Sequence, residues 1–289
     1  KPPRTNYITT EPSLAASLNM RYHGEWEDFY SLVQENLVVA LAQSFGYKYV
    51  HVGSGWLVTM RSTHADVEIL YGIRFPLLQS EFMAVLVSKT LASTLGGLVD
   101  IRPSDAFVGI VANRFNYNMK QIPDIADLEG PTFTFSHNFP PHPPFVFDRN
   151  GNLPQRSKLR FTGSVWRDSD LYIDQLYYVN KTVDAVVEGI LKRSPEEPVI
   201  IIHGDHGPSH GGNVDFKKPS DSFIFERTGI FSAYYLPEHC RSGLYAAISP
   251  VNNFRMVFDS CLGTNFGLSE DKTHWSVGGP PIDFSRIMR

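Results

Sequence analysis

The residues best suited to chemistry lie at 199–208, where an apolar run changes abruptly into glycines that bracket Asp205 and His206. A carboxylate and an imidazole that are adjacent on a tight turn can point at one cation, because Asp supplies a hard oxygen and His a borderline nitrogen. The alternative is a turn in which Asp205 caps a following helix, since glycine and aspartate are ordinary turn formers. The stretch therefore predicts either a metal site or a capped turn.

A second candidate group is aromatic and imidazole in character. Four prolines in the loop at 139–144 fix its backbone, which favours a functional role for His142 and leaves His137 open between a site and a structural role. His210 follows the central turn in a polar, glycine-containing segment. Trp56 ends another glycine-rich turn, where it either lines a pocket or packs in the core.

A hydroxyl group at a helix start completes the candidates. Residues 7–20 predict a short extended piece that runs into a helix, with Thr9 or Thr10 as N-cap, Glu11 near the positive end of the dipole, and Pro12 tolerated in the first turn. If Thr10 is the cap, its hydroxyl lies where unpaired backbone N–H groups favour an anion. The alternative is a cap with no further role.

These residues need a scaffold, and the pattern predicts an α/β fold with a mostly parallel central sheet and helices on both faces. Four branched apolar residues at 199–202 indicate a strand buried on both faces, and ligands gather at the carboxyl ends of such strands. The apolar spacing within 168–193 predicts an amphipathic helix that leads into this strand as the second half of a βαβ unit. Other predicted elements are helices at 26–44, within 77–95 and at 250–262, strands at 47–52, 132–136 and 230–236, and a turn at 148–151.

Composition indicates one globular domain over residues 1–289. Hydrophobic residues make up 42% of the chain and charged residues 19%, and the net charge of −4 excludes an electrostatic footprint for nucleic acid. No apolar run is long enough to cross a bilayer and no signal-peptide core opens the chain, so we expect it to be soluble by itself. Cys240 and Cys261 allow a single bridge but leave the redox compartment undetermined.

Together, Thr10 at a helix start, His142 in its proline-rich loop and the turn at 204–207 resemble the sulfatase-like branch of the alkaline phosphatase superfamily. The stretches 7–20, 140–148, 205–208 and 249–255 are similar to bacterial sulfatase-like membrane proteins, relatives of lipoteichoic acid synthases and phosphoethanolamine transferases. That resemblance implies a location on the extracytoplasmic face of a bacterial membrane, which would be reached only through segments outside this chain.

The resemblance also implies a metal site and a nucleophile. Asp205 and His206 would be metal ligands, and Thr10 would be both a metal ligand and the nucleophile. The cofactor would be a divalent metal ion, with zinc or manganese ahead of calcium or magnesium. His142 matches a histidine that lies near the transferred group in related phosphotransferases.

Two looser matches concern the substrate, and two departures qualify the resemblance. His210 would bind substrate, and Trp56 would be a substrate-lining aromatic residue. Sulfatases carry Cys or Ser where formylglycine forms, but Thr10 cannot undergo that oxidation, and Leu14 replaces their arginine. The family also has an acidic metal ligand upstream of the nucleophile, so we expect an N-terminally truncated domain that lacks its first strand.

The sequence therefore predicts a metal-dependent hydrolase or transferase that acts on phosphate esters, with sulfate esters less favoured, through a threonine nucleophile. Its substrate would be a phosphorylated or sulfated small molecule, lipid or glycan. The alternative is a non-catalytic anion- or glycan-binding module that retains a degenerate site.

Overall fold

The computed structural model describes residues 2–24, 27–72, 103–154, 168–210, 216, 218–275 and 282–283. The chain divides into two compact units. Unit 1 comprises Lys1–Tyr47, Ser194–Ser209 and Val214–Arg289, and unit 2 comprises Lys48–Arg193 and His210–Asn213. The expectation of one catalytic domain over 1–289 stays a prediction.

Three helices come first along the described residues, and strands and helices are interspersed after them. The helices are α1 (Thr10–Asn19), α2 (Phe29–Gln34), α3 (Leu37–Ser44), α4 (Pro103–Gln121), α5 (Ser169–Arg193), α6 (Asp221–Thr228) and α7 (Pro250–Leu262). The strands are β1 (Lys48–Val52), β2 (Val67–Ile69), β3 (Thr132–Ser136), β4 (Ile200–His203), β5 (Ser232–Tyr235), β6 (His274–Trp275) and β7 (Ile282–Asp283). None of the helices described is long and apolar enough to cross a membrane.

Unit 2 contains a parallel sheet in the order β2-β1-β3. Val50 lies opposite Val67 in β2 and opposite Thr134 in β3. Val50 and Val52 are fully buried and pack against Ile125, which covers this part of the sheet. The parallel sheet and its flanking helices confirm the predicted α/β class.

The core of unit 2 lies between helices α4 and α5. Phe115 of α4 and Val179 of α5 share one cluster with the fully buried Phe147, and Val183 and Val186 of α5 pack against its edge. Their three- and four-residue spacing puts one face of α5 on the core, as the sequence pattern predicted. The turn predicted at 148–151 is also present, because the Gly151 N–H donates to the Asp148 carbonyl at 3.0 Å.

Helix α1 forms the centre of unit 1. Every residue from Ser13 to Asn19 is buried. The single helix predicted over 26–44 is wrong for the residues described, since α2 and α3 are separate. Asn36 caps α3 by accepting a hydrogen bond from the Val39 N–H at 2.9 Å, and this side-chain competition ends the first helix. Trp26, like the helix predicted within 77–95, lies outside the described residues.

The pairing of strand β4 differs from the prediction. We expected a strand buried on both faces within a parallel sheet, but β4 pairs antiparallel with β5, and Ile202 lies opposite Ala233. All four β4 residues are half-buried. An antiparallel pair can leave one face partly exposed to water, so an apolar sequence run did not require burial on both faces.

Cys240 and Cys261 form a disulfide, which the sequence had left open. Cys240 lies in a 3₁₀ turn after β5, and Cys261 lies in the last turn of α7. The bridge packs beside Leu236, Ile248 and Met256 in a small core cluster of unit 1.

Replacing both cysteines by serine should lower the free energy of unfolding by about 3 kcal/mol, because the bridge closes a loop between residues separated by 21 positions. Urea unfolding of the oxidised protein and of the Cys240→Ser/Cys261→Ser variant measures this. Reductant should bring the parent down to the variant and leave the variant unchanged. Equal urea midpoints for the two oxidised proteins would contradict the prediction.

Candidate functional site

Three side chains predicted to act together do meet in unit 1. Asp205 and His206 follow the carboxyl end of β4, and Thr10 is the first residue of α1. The Thr10 Oγ1 lies 3.3 Å from His206 Nε2, and Asp205 Oδ2 lies 3.5 Å from the same nitrogen. The side chains of His206 and Asp205 are 9% and 21% exposed, so the group is sheltered yet open to solvent.

The position of Thr10 answers a question that the sequence left open. Thr9 occupies the N-cap position and its side chain makes no capping hydrogen bond, whereas Thr10 begins the helix. The Thr10 hydroxyl is therefore directed to His206 at a helix start, where the dipole favours developing negative charge.

The imidazole of His206 has a defined tautomer. Its Nδ1 lies 3.0 Å from the Gly207 carbonyl oxygen, which can only accept, so Nδ1 carries the proton. Burial, opposed by the nearby Asp205 charge, lowers the pKa of His206 below its usual range, which favours the neutral ring. The Nε2 lone pair therefore faces Thr10 and Asp205.

This donor set fits a divalent cation. A carboxylate oxygen and a bare imidazole nitrogen both present lone pairs across 3.5 Å, an arrangement that favours a positive ion beside them. Thr10 adds a hydroxyl oxygen. This site has two side chains of the types His, Cys, Asp and Glu. No group of three or more such side chains is placed to hold a metal anywhere in the described part of the chain.

The other interpretation of Asp205, as the cap of a following helix, stays a prediction. Residues 207–210 are not helical, and the next described helix, α6, takes its cap from the Ser220 hydroxyl, which accepts from the Phe223 N–H at 3.3 Å.

Gly207 explains why glycine follows His206. A Cβ at this position would lie 2.0 Å from the Glu226 carbonyl oxygen and 2.7 Å from that of Gly229. The turn therefore packs its backbone directly against the end of α6, and the Gly207 N–H donates to the Arg227 carbonyl at 2.8 Å. Only glycine allows this approach.

Two hydroxyl groups that the sequence analysis did not select donate hydrogen bonds to the backbone carbonyl of Asp205. Ser13 Oγ donates to the Asp205 carbonyl at 2.6 Å, and Thr5 Oγ1 donates to the same oxygen. Both residues are buried, and their hydroxyls lie 3.0 Å apart. Ser13 lies one helical turn after Thr10, a spacing that could have marked the two as neighbours on one face of α1.

The stretch 249–255, which carried part of the family resemblance, supports α1 from both ends. Ser249 Oγ donates to Asn6 Oδ1 at 2.8 Å on the N-terminal side. Arg255 Nε donates to the Met20 carbonyl at 2.7 Å on the C-terminal side, where Met20 adopts a left-handed conformation with φ of 54°. These residues therefore contact the scaffold of Thr10.

In unit 2 the structure brings His142 and Trp56 together. The His142 ring meets Trp56 edge-on at 6.0 Å between centroids and Phe139 at 5.0 Å, and its Nδ1 donates to the Pro143 carbonyl at 2.6 Å. The expectation that the loop holds His142 in one orientation stays a prediction. Trp56 is half-buried and packs against the core cluster, which agrees with the structural alternative for that residue.

The other two candidate histidines of unit 2, His137 and His210, have separate contacts. His137 Nδ1 lies 2.7 Å from Thr59 Oγ1, beside a cavity that Arg114 and Asn118 also line. The ring of His210 meets Tyr172 edge-on at 4.8 Å. The substrate-binding roles expected for His142, His210 and Trp56 stay predictions.

Comparison with known proteins assigns no family to the chain. No family model matches it, and neither does any curated protein. The solved structures that resemble it include Ps i-CgsB in complex with k-i-k-neocarrahexaose, with 13% identity and a TM-score of 0.45. They also include Ps i-CgsB alone, with 12% identity and a TM-score of 0.47. The matches cover 87% and 89% of this chain but 61% and 63% of those chains. This chain thus spans about three fifths of the length of those structures, and a likeness this distant carries no conclusion about its site.

Proposed function

We propose that this protein is a metal-dependent hydrolase or transferase that acts on phosphate esters through Thr10. One observation carries the proposal: the bare Nε2 of His206 lies 3.3 Å from the Thr10 hydroxyl oxygen and 3.5 Å from an Asp205 carboxylate oxygen. A hydroxyl nucleophile is activated by an adjacent base, which accepts its proton, or by a metal ion, which binds its oxygen. Asp205 and His206 lie beside Thr10 and could serve as the base or hold the ion.

The residues divide the work as follows. Asp205, His206 and Thr10 would hold a divalent ion, zinc or manganese before calcium or magnesium, and a bound ion of this kind would lower the pKa of the hydroxyl and neutralise charge on phosphorus. The Thr10 hydroxyl loses its proton to solvent, its oxygen attacks phosphorus, the bond from phosphorus to the ester oxygen breaks, and the departing alcohol takes up a proton. Water or an acceptor alcohol then loses a proton and attacks phosphorus, and the bond from phosphorus to Thr10 breaks as the Thr10 oxygen regains a proton. His142 or His210 is proposed to donate the proton to the departing oxygen.

Residue types favour phosphate over sulfate. Thr10 cannot become formylglycine, and Leu14, where sulfatases have arginine, is a buried apolar side chain of α1. The proposed substrate is a phosphorylated or, less favoured, sulfated small molecule, lipid or glycan. The Cys240–Cys261 disulfide supports the proposed location on the extracytoplasmic side of a bacterial membrane, because such bridges persist in oxidising compartments.

A second candidate function is a non-catalytic anion- or glycan-binding module. The observation in its favour is that only two of the usual metal-ligating side chains, Asp205 and His206, meet at the site in the described residues. Turnover of p-nitrophenyl phosphate by the metal-loaded protein, with p-nitrophenyl sulfate in parallel, separates the two functions.

Metal binding is the direct test. We expect isothermal titration of the apo protein with zinc or manganese to show one site, and Asp205→Asn and His206→Gln to weaken it at least about 100-fold, since each removes a ligand. His239→Gln is the matched control, because His239 is exposed in unit 1. Unchanged affinity in both site variants would show that the ion does not bind to Asp205 and His206.

A further inference from the structure

Arg227 connects the two segments that carry the candidate site. It lies in the last turn of α6 and is buried, with 8% of its surface exposed. Its Nε donates to the Ile8 carbonyl at 2.9 Å, and its Nη1 donates to the Gly207 carbonyl at 2.7 Å. One planar guanidinium group therefore bridges the chain just before Thr10 to the chain just after His206.

The backbone of Arg227 adds a third hydrogen bond to the same turn. Its carbonyl accepts from the Gly207 N–H at 2.8 Å, so both the N–H and the carbonyl of Gly207 are held by one residue. The Gly207 carbonyl is also the oxygen that accepts from His206 Nδ1. Arg227 thus fixes the acceptor that determines which imidazole nitrogen carries the proton.

We propose that Arg227 is a positioning residue that sets the orientation and tautomer of His206 and its distance from the Thr10 hydroxyl. The inference rests on the proposed function, in which His206 Nε2 must stay bare and face Thr10. The fork geometry matters here, because a guanidinium can donate to two carbonyl oxygens in fixed directions, whereas an ammonium is a point charge on a flexible stem.

The burial of this cation is consistent with a purpose beyond packing. Burial lowers the pKa of Arg227 to about 10, and the charges of Asp205 and Glu226 act in the opposite direction. A buried charge is often replaceable by an apolar side chain at no cost in stability. Here the buried charge makes hydrogen bonds to both site segments, which hold the two in one arrangement.

The test uses Arg227→Lys and Arg227→Met beside Arg4→Met. Arg4 is the matched control, because its Nη1 also donates to α6, to the Phe225 carbonyl at 3.0 Å and to Thr228 Oγ1 at 2.7 Å, whereas the hydrogen bonds to Ile8 and Gly207 come from Arg227. Two measurements are made on each protein: the imidazole ¹⁵N shifts of metal-free protein, with His206 assigned from the His206→Gln spectrum, and zinc affinity by calorimetry.

We expect the parent and Arg4→Met to show His206 with Nδ1 protonated and Nε2 bare. Arg227→Met should show a mixture of tautomers, and both Arg227 variants should bind zinc about 10- to 100-fold more weakly. Parent-like tautomer and zinc affinity in Arg227→Met would overturn the proposal. Parent-like affinity in Arg227→Lys would also overturn it, by showing that charge and not the fork is required.

The two proposals fail in different ways. If the parent binds no zinc and turns over no ester, the proposed function fails, while the imidazole shifts still decide whether Arg227 sets the tautomer of His206. Should Arg227→Met fail to fold, Arg227→Lys carries the same two measurements, because it retains the long side chain and the charge.

Discussion

Replacing Thr10 by alanine is expected to abolish turnover of phosphate esters, with kcat reduced by about 10⁴-fold or more, the scale seen when a covalent nucleophile is removed. The physical reason is that, in the proposed function, the Thr10 oxygen, which lies 3.3 Å from His206 Nε2, is the atom that bonds to phosphorus. Helix α1 should persist, because alanine suits a first-turn position and the rest of the helix is buried by its own contacts. Stopped assays with p-nitrophenyl phosphate give kcat, and mass spectrometry of trapped enzyme should place the added phosphate on the peptide that contains Thr10.

Thr9→Ala provides the matched control for this experiment. Thr9 is the adjacent threonine, is exposed, and makes no side-chain capping hydrogen bond, so its removal should leave kcat within about twofold of the parent. Turnover by Thr10→Ala at the parental rate would refute the nucleophile. A phosphate label on any other peptide would do the same.

Replacing Gly207 by alanine is expected to lower the free energy of unfolding by about 3 kcal/mol and to remove metal binding. The added Cβ would lie 2.0 Å from the Glu226 oxygen and 2.7 Å from the Gly229 oxygen, which are backbone atoms that no rotamer change can move. The turn would have to withdraw from α6, and His206 would move with it. Urea unfolding and zinc calorimetry measure the two effects on one sample.

Gly204, three residues before Gly207, provides the matched control. A Cβ at Gly204 meets its nearest neighbours, including the Ile230 side chain, at 3.6 and 3.7 Å, which is ordinary van der Waals contact. Gly204→Ala should therefore stay within about 0.5 kcal/mol of the parent and bind zinc normally. If the two alanine variants behave alike, close packing of Gly207 is not what places His206.

Several elements could be predicted because their signals are local. The apolar spacing of α5 and the branched residues of β3 determine helix and strand through side-chain periodicity, and both lie where the sequence placed them. The choice of Asp205, His206 and Thr10 also came from local features, a glycine-bracketed turn and a helix start. Their roles stay predictions, whereas their meeting in unit 1 is a property of the structure.

Only the tertiary structure determined which residues far apart along the chain contact each other. The apolar run of β4 specifies a strand but not its neighbour, and the antiparallel pairing with β5 depends on where the chain returns. In the sequence Arg227 is an ordinary cation near a helix C-terminus, yet in the structure its side chain donates to the carbonyl of Ile8, 219 residues away. Residue type and spacing therefore determined which groups could do chemistry, and long-range backbone contacts determined which of them meet, because a hydrogen bond between distant residues leaves no periodic trace in the sequence.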